Sequence, residues 1–387
     1  MPMSPPLDAS RFAGIDAAIE SFINGQQMPG AVYWLERHGA SYHKAYGKHT
    51  FDSGATAMNL DTVFDAASLT KVVATAPSVM LLIERGKVVL DAPLLQYLPE
   101  CRGGGKEAIS VRHLLTHTSG LATGLRADPP WRGEEAAFKR ACAETVTHAP
   151  GTFFRYSDIN FILLGLLVQR ISGVPLNEFA AKRLYAPLNM PDTRFLPLTQ
   201  IASTRIPPTQ RMIDKAAQPL HGDLPEGQVL QGVVHDPTVR FMGGVGGSAG
   251  LFTTAGDLAR FARMMLNEGE LDGVRVLRRE SVRLMSTVQS PPGIESRRSA
   301  GWDIDSPYAR PRGTLFPIGS FGHTGFTGCF LWIDPFSKTF HLLLSNRVFP
   351  DDQASILALY TRLGTLAAGA VAGFDFKQRI DTRQVGD

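Results

Sequence analysis

Cysteine is scarce in this chain. Its 387 residues hold three, Cys101, Cys142 and Cys329, an odd number set far apart with no Cys-x-x-Cys pair. That usage argues against a disulfide framework or a zinc site and predicts packed thiols. Charge of one sign is equally lacking: 39 basic residues stand against 36 acidic ones, mixed along the chain. No dense Lys/Arg run exists, so no nucleic-acid partner is expected. No apolar stretch approaches the length of a bilayer span, so no membrane is expected either. The first six residues, Met1-Pro2-Met3-Ser4-Pro5-Pro6, have neither a basic nor an apolar signal region, and the expectation is a cytoplasmic protein. Repeats and low-complexity segments are absent. What remains is an ordinary globular balance, 44% hydrophobic and 19% charged, in a chain long enough for two lobes.

The periodicities place a helix over 11–24, strands over 31–37 and 41–46, and a helix after residue 71 that ends at Gly86. The middle of the chain reads as mostly helical, with clear helices over 160–171 and 175–184. A helix over 256–267 leads back to strands over 328–333 and 339–345, split by the turn Asp334-Pro335-Phe336-Ser337, and a last helix spans about 352–366. Strands at both ends with helices between predict an α/β (α+β) fold. One antiparallel sheet is built from both chain ends (10–89 and 233–375) and flanked by helices, with a mostly helical lobe (90–232) inserted. Its seam is where a pocket is expected.

The first helix of that insertion opens on Ser68-Leu69-Thr70-Lys71. Positions i and i+3 share a helix face, so Lys71 can reach the Ser68 hydroxyl. A serine needs a neighbouring base to become a nucleophile, and a desolvated lysine can serve. The free N–H groups of a helix start can also hold an oxyanion. Read alone, the tetrapeptide is equally an N-cap followed by a solvated lysine. Tyr156-Ser157-Asp158 stands at another helix start; a tyrosine near a lysine cation can have a lowered pKa and act as a base, although a core tyrosine beside a cap fits the same letters. His323-Thr324-Gly325 lies in a glycine-rich run entering a strand, where an edge strand could bind an acyl group and donate a second oxyanion N–H. A hairpin corner is the plain alternative.

In this order, the three motifs resemble those of the serine β-lactamase and penicillin-binding superfamily, in its class C-like branch with the family VIII carboxylesterases. Supporting segments run from Val111 to Leu121, Pro187 to Thr193, Val234-His235-Asp236, Gly250 to Ala255 and Ser345-Asn346-Arg347. The resemblance implies that Ser68 is acylated, that Lys71 is its proton partner and that Tyr156 is the base for Ser68 and for the deacylating water. It also implies an oxyanion hole made by the N–H groups of Ser68 and Phe326, with no metal and no organic cofactor.

Two positions depart from the lactamase pattern. Asp158 replaces an asparagine, and an ionised carboxylate accepts hydrogen bonds but cannot donate them to an acyl-side carbonyl. His323 replaces a lysine and is mostly neutral at pH 7, which removes a fixed charge for a substrate carboxylate. Both point to a carboxylesterase whose partner is a small, uncharged ester. The alternatives are a β-lactamase or D-alanyl-D-alanine peptidase and a silent binding module of the same fold. Oligomeric state is not legible.

Other motifs are set aside. Gly246-Gly247-Ser248-Ala249-Gly250 matches a nucleophile elbow, but glycines precede it and Leu251-Phe252-Thr253-Thr254 separates it from a helix. His113 and His117 lack the glutamate of a zinc-binding pair and read as helix-end packing. Gly103-Gly104-Gly105-Lys106 reads as a surface turn.

Overall fold

The computed structural model describes residues 6–212 and 227–376. At the N-terminal end, β1 (Gly30–Arg37) and β2 (Ala40–Gly47) form an antiparallel hairpin. Its turn residues His38 and Gly39 both take positive φ, 49° and 80°, which matches the twist of the flanking strands. From the other end come β3 (Arg297–Arg298), β4 (Asp303–Asp305), β5 (Phe321–Gly325), β6 (Cys329–Asp334) and β7 (Thr339–Ser345). Together they make one seven-stranded antiparallel sheet in the order β3-β4-β5-β6-β7-β1-β2. The two chain ends meet where Ala31 pairs with Ser345 and Arg37 with Thr339.

Strand alternation divides the apolar residues between two buried faces. Leu331, Ile333, Leu342 and Leu344 join one core, and Phe330, Trp332 and Leu343 join the other. The second core is closed by α1 (Phe12–Asn24) and a C-terminal helix, Leu357–Gly369, through Ile15, Ile19, Leu359 and Leu363. The first is closed by the helical run after Ser68, whose last part is α2 (Ala76–Glu84), and by the helix Ala255–Leu266. Truncating any of these leucines to alanine costs about 2–5 kcal/mol.

The helical middle begins with α3 (Val111–Leu115) and α4 (Glu134–Ala143), then α5 (Asp158–Ser172). The last ends at Gly173 in the left-handed region (φ 75°), as its sequence predicts. The final helix starts five residues later than its periodicity suggests. The carbonyls of Asp352 and Ala354 accept from Arg347 Nη1 (3.0 and 2.8 Å), which holds that stretch out of helix.

Three expectations are corrected. Cys101 and Cys142 are bonded as a disulfide, with Cys329 alone left as a buried thiol. Spacing in sequence says nothing about the fold here: Val146 N–H donates to Gly104 O (2.9 Å) and Lys106 Nζ bonds the Glu144 carbonyl, so residues 101–106 are sewn to 142–146. Lys106 is therefore buried rather than part of a solvated turn. The helical run Ala67–Glu84 is also long and apolar enough to cross a membrane, but 83% of it is buried inside the fold, the pattern of a core helix.

Candidate active site

Ser68 is positioned by the contacts that converge on the turn before it. The short strand Phe64–Asp65 pairs with Leu251–Thr253, and Ala66 N–H donates to Leu251 O (2.9 Å). Ala67 is then forced to a left-handed φ of 46°, an uncommon conformation for a residue with a Cβ. The buried Asp65 carboxylate holds it there by accepting from Ala67 N–H (2.8 Å), and it also accepts from His235 N–H (2.7 Å). After Ser68 the chain winds as a π-helix over Lys71–Thr75, a form concentrated at functional positions.

This winding buries Lys71 completely. Its ammonium donates to Ser68 Oγ (3.0 Å) and to Ser248 O (2.8 Å), and it pairs with Asp158 Oδ1 at 2.7 Å. The Tyr156 ring centroid lies 5.0 Å from Lys71 Nζ, and the phenol interacts with both Ser68 and Lys71. Burial alone disfavours the ammonium, yet the Asp158 charge and Tyr156 outweigh it and hold Lys71 above the ordinary lysine value. The phenol goes the other way from its expected direction. Burial raises its pKa, Lys71 pulls it down, Asp158 adds to the rise, and the net shift is upward. The expectation of a lowered tyrosine pKa is thus corrected chiefly by burial, with the Asp158 carboxylate adding to it.

His323 is buried on β5. Its Nδ1 faces the Thr324 carbonyl at 2.8 Å; a carbonyl only accepts, so Nδ1 carries the proton. Burial, then Arg298 and Lys71, push its pKa well below the ordinary histidine value, so it is neutral. The strand is not outermost, since β4 lies beyond it. Only Gly322 pairs with β4, however, through Asp303, so residues 323–325 keep one backbone side without a strand partner among the described residues. Gly325 is required where it stands: a Cβ would come within 2.5 Å of Ala66 O. Phe326 follows with its ring half exposed. The Thr327 hydroxyl donates to Asp65 O (2.7 Å), tying this turn to the segment that carries Ser68. The three motifs therefore converge from the start of one helix, the start of another and the end of a central strand.

A family model named Beta-lactamase matches residues 15–365, nearly the whole chain. The chain belongs to this family. An Escherichia coli (strain K12) relative with the provisional name D-alanyl-D-alanine carboxypeptidase is 29% identical over 341 residues, covering 79% of this chain and 75% of its own. The N-acetylmuramyl-L-alanine amidase of Bacillus subtilis (strain 168) is 30% identical over 357 residues, covering 86% and 80%. Among solved structures, EstCE1, described as a hydrolase with promiscuous acyltransferase activity, superposes with a TM-score of 0.71 at 19% identity over 93% of this chain and 99% of its own. That likeness establishes the shared fold. As a member of the family, the protein is a serine hydrolase of the β-lactamase and penicillin-binding type.

The remaining motifs fall into place around this centre. Ser248 contributes its carbonyl to Lys71, and its own hydroxyl is buried without a hydrogen-bond partner among the described residues. His113 closes a capping box with Ser110 at the start of α3. His117, by contrast, lies against Tyr156, with ring centroids 4.4 Å apart. Sequence reasoning missed Arg298, which is fully buried and 3.6 Å from the equally buried Asp303. It gave no role to Asp236, named only within a supporting segment, a carboxyl whose pKa is raised to about 6 by burial and by the nearby Asp158. Neither has a local signal: one sits on a two-residue strand, and the other reads as a helix cap. Among the described residues, no group of three His, Cys, Asp or Glu side chains could hold a metal ion.

Proposed function

We propose that the protein hydrolyses small, uncharged carboxylic esters through an acyl-enzyme on Ser68. The observation that carries this reading is the Ser68 hydroxyl 3.0 Å from the buried Lys71 ammonium, with the Tyr156 phenol engaging both. In the reactive ionisation state Tyr156 is a phenolate held by Lys71, and it takes the Ser68 proton as Oγ attacks the ester carbonyl carbon. The carbonyl electron pair moves onto oxygen, where the N–H groups of Ser68 and Phe326 stabilise it. Collapse expels the alcohol, which leaves with the proton from Tyr156. Water then attacks the acyl-enzyme, gives a proton to Tyr156, and releases the acid as Ser68 recovers its proton. Because Tyr156 is raised above its ordinary value, the reactive state is the minor one at neutral pH and turnover rises toward alkaline pH.

The preference for an uncharged substrate rests on charge. His323 is neutral, and the Arg298 guanidinium is paired with Asp303 out of solvent, so neither offers a free cation to a substrate carboxylate. A second reading, hydrolysis of a cell-wall peptide or muramyl amide, is favoured by the names that the relatives at 29–30% identity carry. The Cys101–Cys142 disulfide supports a compartment oxidising enough to keep it, rather than the cytoplasm first expected.

The test sets p-nitrophenyl butyrate beside a chromogenic cephalosporin, a D-alanyl-D-alanine peptide and a muramyl-L-alanine amide, with wild type, Ser68→Ala and Ser248→Ala. Ester turnover abolished only by Ser68→Ala, and exceeding the other three, is expected. Faster cleavage of either amide would replace the ester reading with the second one, and no turnover or labelling of Ser68 at all would leave a silent binding module.

A further inference from the structure

Tyr156 lies on a segment, residues 153–157, that belongs to no helix or strand, so nothing in regular structure fixes the phenol. One residue supplies what the ladder does not. The Arg155 N–H donates to His117 O (3.0 Å), and the Ser157 N–H donates to His117 Nδ1 (3.1 Å). Between these two bonds the imidazole lies against the Tyr156 ring itself, 4.4 Å between centroids and 31° between planes. The amides on both sides of Tyr156 thus end on the same side chain and carbonyl that cover its ring. The backbone at His117 is left-handed, φ 58°, which ends the preceding helical turn and lets carbonyl and imidazole serve one segment. A backbone N–H can only donate, so Nδ1 is unprotonated and the neutral ring carries its proton on Nε2.

Resting on the assignment of Tyr156 as the base, we propose that His117 is a positioning residue: its Nδ1 lone pair and ring lock the phenol onto Ser68 and Lys71. The imidazole is wholly buried and touches no reacting atom, so it acts through Tyr156. Its burial and the nearby cations Arg298 and Lys71 hold it neutral, which keeps Nδ1 available as an acceptor.

Two amides that each mimic one ring nitrogen separate this role from simple packing. In His117→Asn the Oδ1 stands where Nδ1 was, and asparagine tolerates the left-handed backbone. In His117→Gln the amide oxygen reaches the Nε2 position, and the Ser157 N–H loses its acceptor. With p-nitrophenyl butyrate, His117→Gln is expected to lose about 10- to 100-fold in kcat with KM little changed, because a misplacement of about 1 Å costs on that order. His117→Asn is expected to recover most of that loss. Equal losses in the two folded variants, or a kcat near wild type in His117→Gln, overturn the proposal. If only His117→Asn folds, its kcat decides alone, and failure of His117→Asn or of both to fold overturns it by making the ring a folding element. Tyr156→Phe is measured alongside. If it keeps wild-type kcat, the base assignment itself has failed; if it is inactive while His117→Gln is not, only the positioning role has.

Discussion

Replacing Asp158 with asparagine should separate the two tasks that this carboxylate performs. Asp158 Oδ1 lies 2.7 Å from a lysine with no exposed surface, while its own side chain is 31% exposed. At that distance, with an effective dielectric of about 20, two unit charges attract by about 6 kcal/mol before desolvation is counted. Removing one member of a buried pair typically costs about 3–5 kcal/mol, because the other charge is left uncompensated. Lys71 keeps Ser68 Oγ and Ser248 O as partners, and asparagine retains a carbonyl oxygen, so the low end, about 3 kcal/mol, applies. With an unfolding entropy of about 2.1 cal/mol/K per residue over 387 residues, Tm should fall by about 4 °C. Catalysis should move the other way. Asp158 is one of the groups that raise the Tyr156 pKa, and losing its charge makes the phenolate easier to form. The alkaline limb of kcat/KM for p-nitrophenyl butyrate should therefore shift to lower pH, and the restored amide should improve turnover of β-lactams and peptides. The measurements are thermal unfolding and a rate profile from about pH 6 to about pH 10. An unchanged Tm together with a limb at the same or higher pH would refute the assignment of Asp158 as both the Lys71 counter-ion and the brake on Tyr156.

Three further outcomes follow from the same contacts. Asp65 and Asp236 titrate at about 6 in the fold against 3.8 unfolded, so the folded state holds extra protons between those values. Their contribution to stability is complete below the unfolded value and is lost as pH rises through about 6; denaturant midpoints should fall across that window, and Asp65→Asn should flatten the slope. The Cys101–Cys142 bond spans a separation of 41 residues, and closing a loop of that length stabilises by about 4 kcal/mol in the chain-entropy treatment. Cys101→Ser with Cys142→Ser should therefore lower the urea midpoint while leaving kcat intact, since the bond ties residues 101–106 to 142–146 and neither segment carries a residue of the Ser68 site. Gly247→Ala places a Cβ 1.9 Å from Phe161 O, so the loop whose next carbonyl binds Lys71 must move. A loss of about 1–3 kcal/mol and a drop in kcat are expected, and a variant with wild-type Tm and kcat would contradict the close packing.

What the sequence makes legible here is whatever is local. The i, i+3 relation of Ser68 and Lys71, the strand at 339–345 and the Gly173 stop are all visible in a few neighbouring letters, and each stands in the structure as read. What stays hidden depends on residues brought together from afar. Arg298 comes beside His323 because β3 pairs with β4 and β4 with β5, through strands of two and three residues that carry no periodic signal. The disulfide depends on residues 101–106 meeting 142–146 across a turn of three left-handed glycines. His117 is the instructive case, because its position is local and its use is not. Its place at the end of a helix is local, and so packing there is foreseeable. Its hold on the amides of Arg155 and Ser157 is a contact about 40 residues away in sequence, formed only when the inserted helices fold over the Ser68 turn. The same reasoning explains the reversed shift of Tyr156. A lysine one turn from the serine predicts a lowered phenol, and only the fold shows that burial and Asp158 together outweigh that cation. The nucleophile is thus encoded in one turn of helix, whereas the base that must act on it is set, in both position and ionisation, by the tertiary structure.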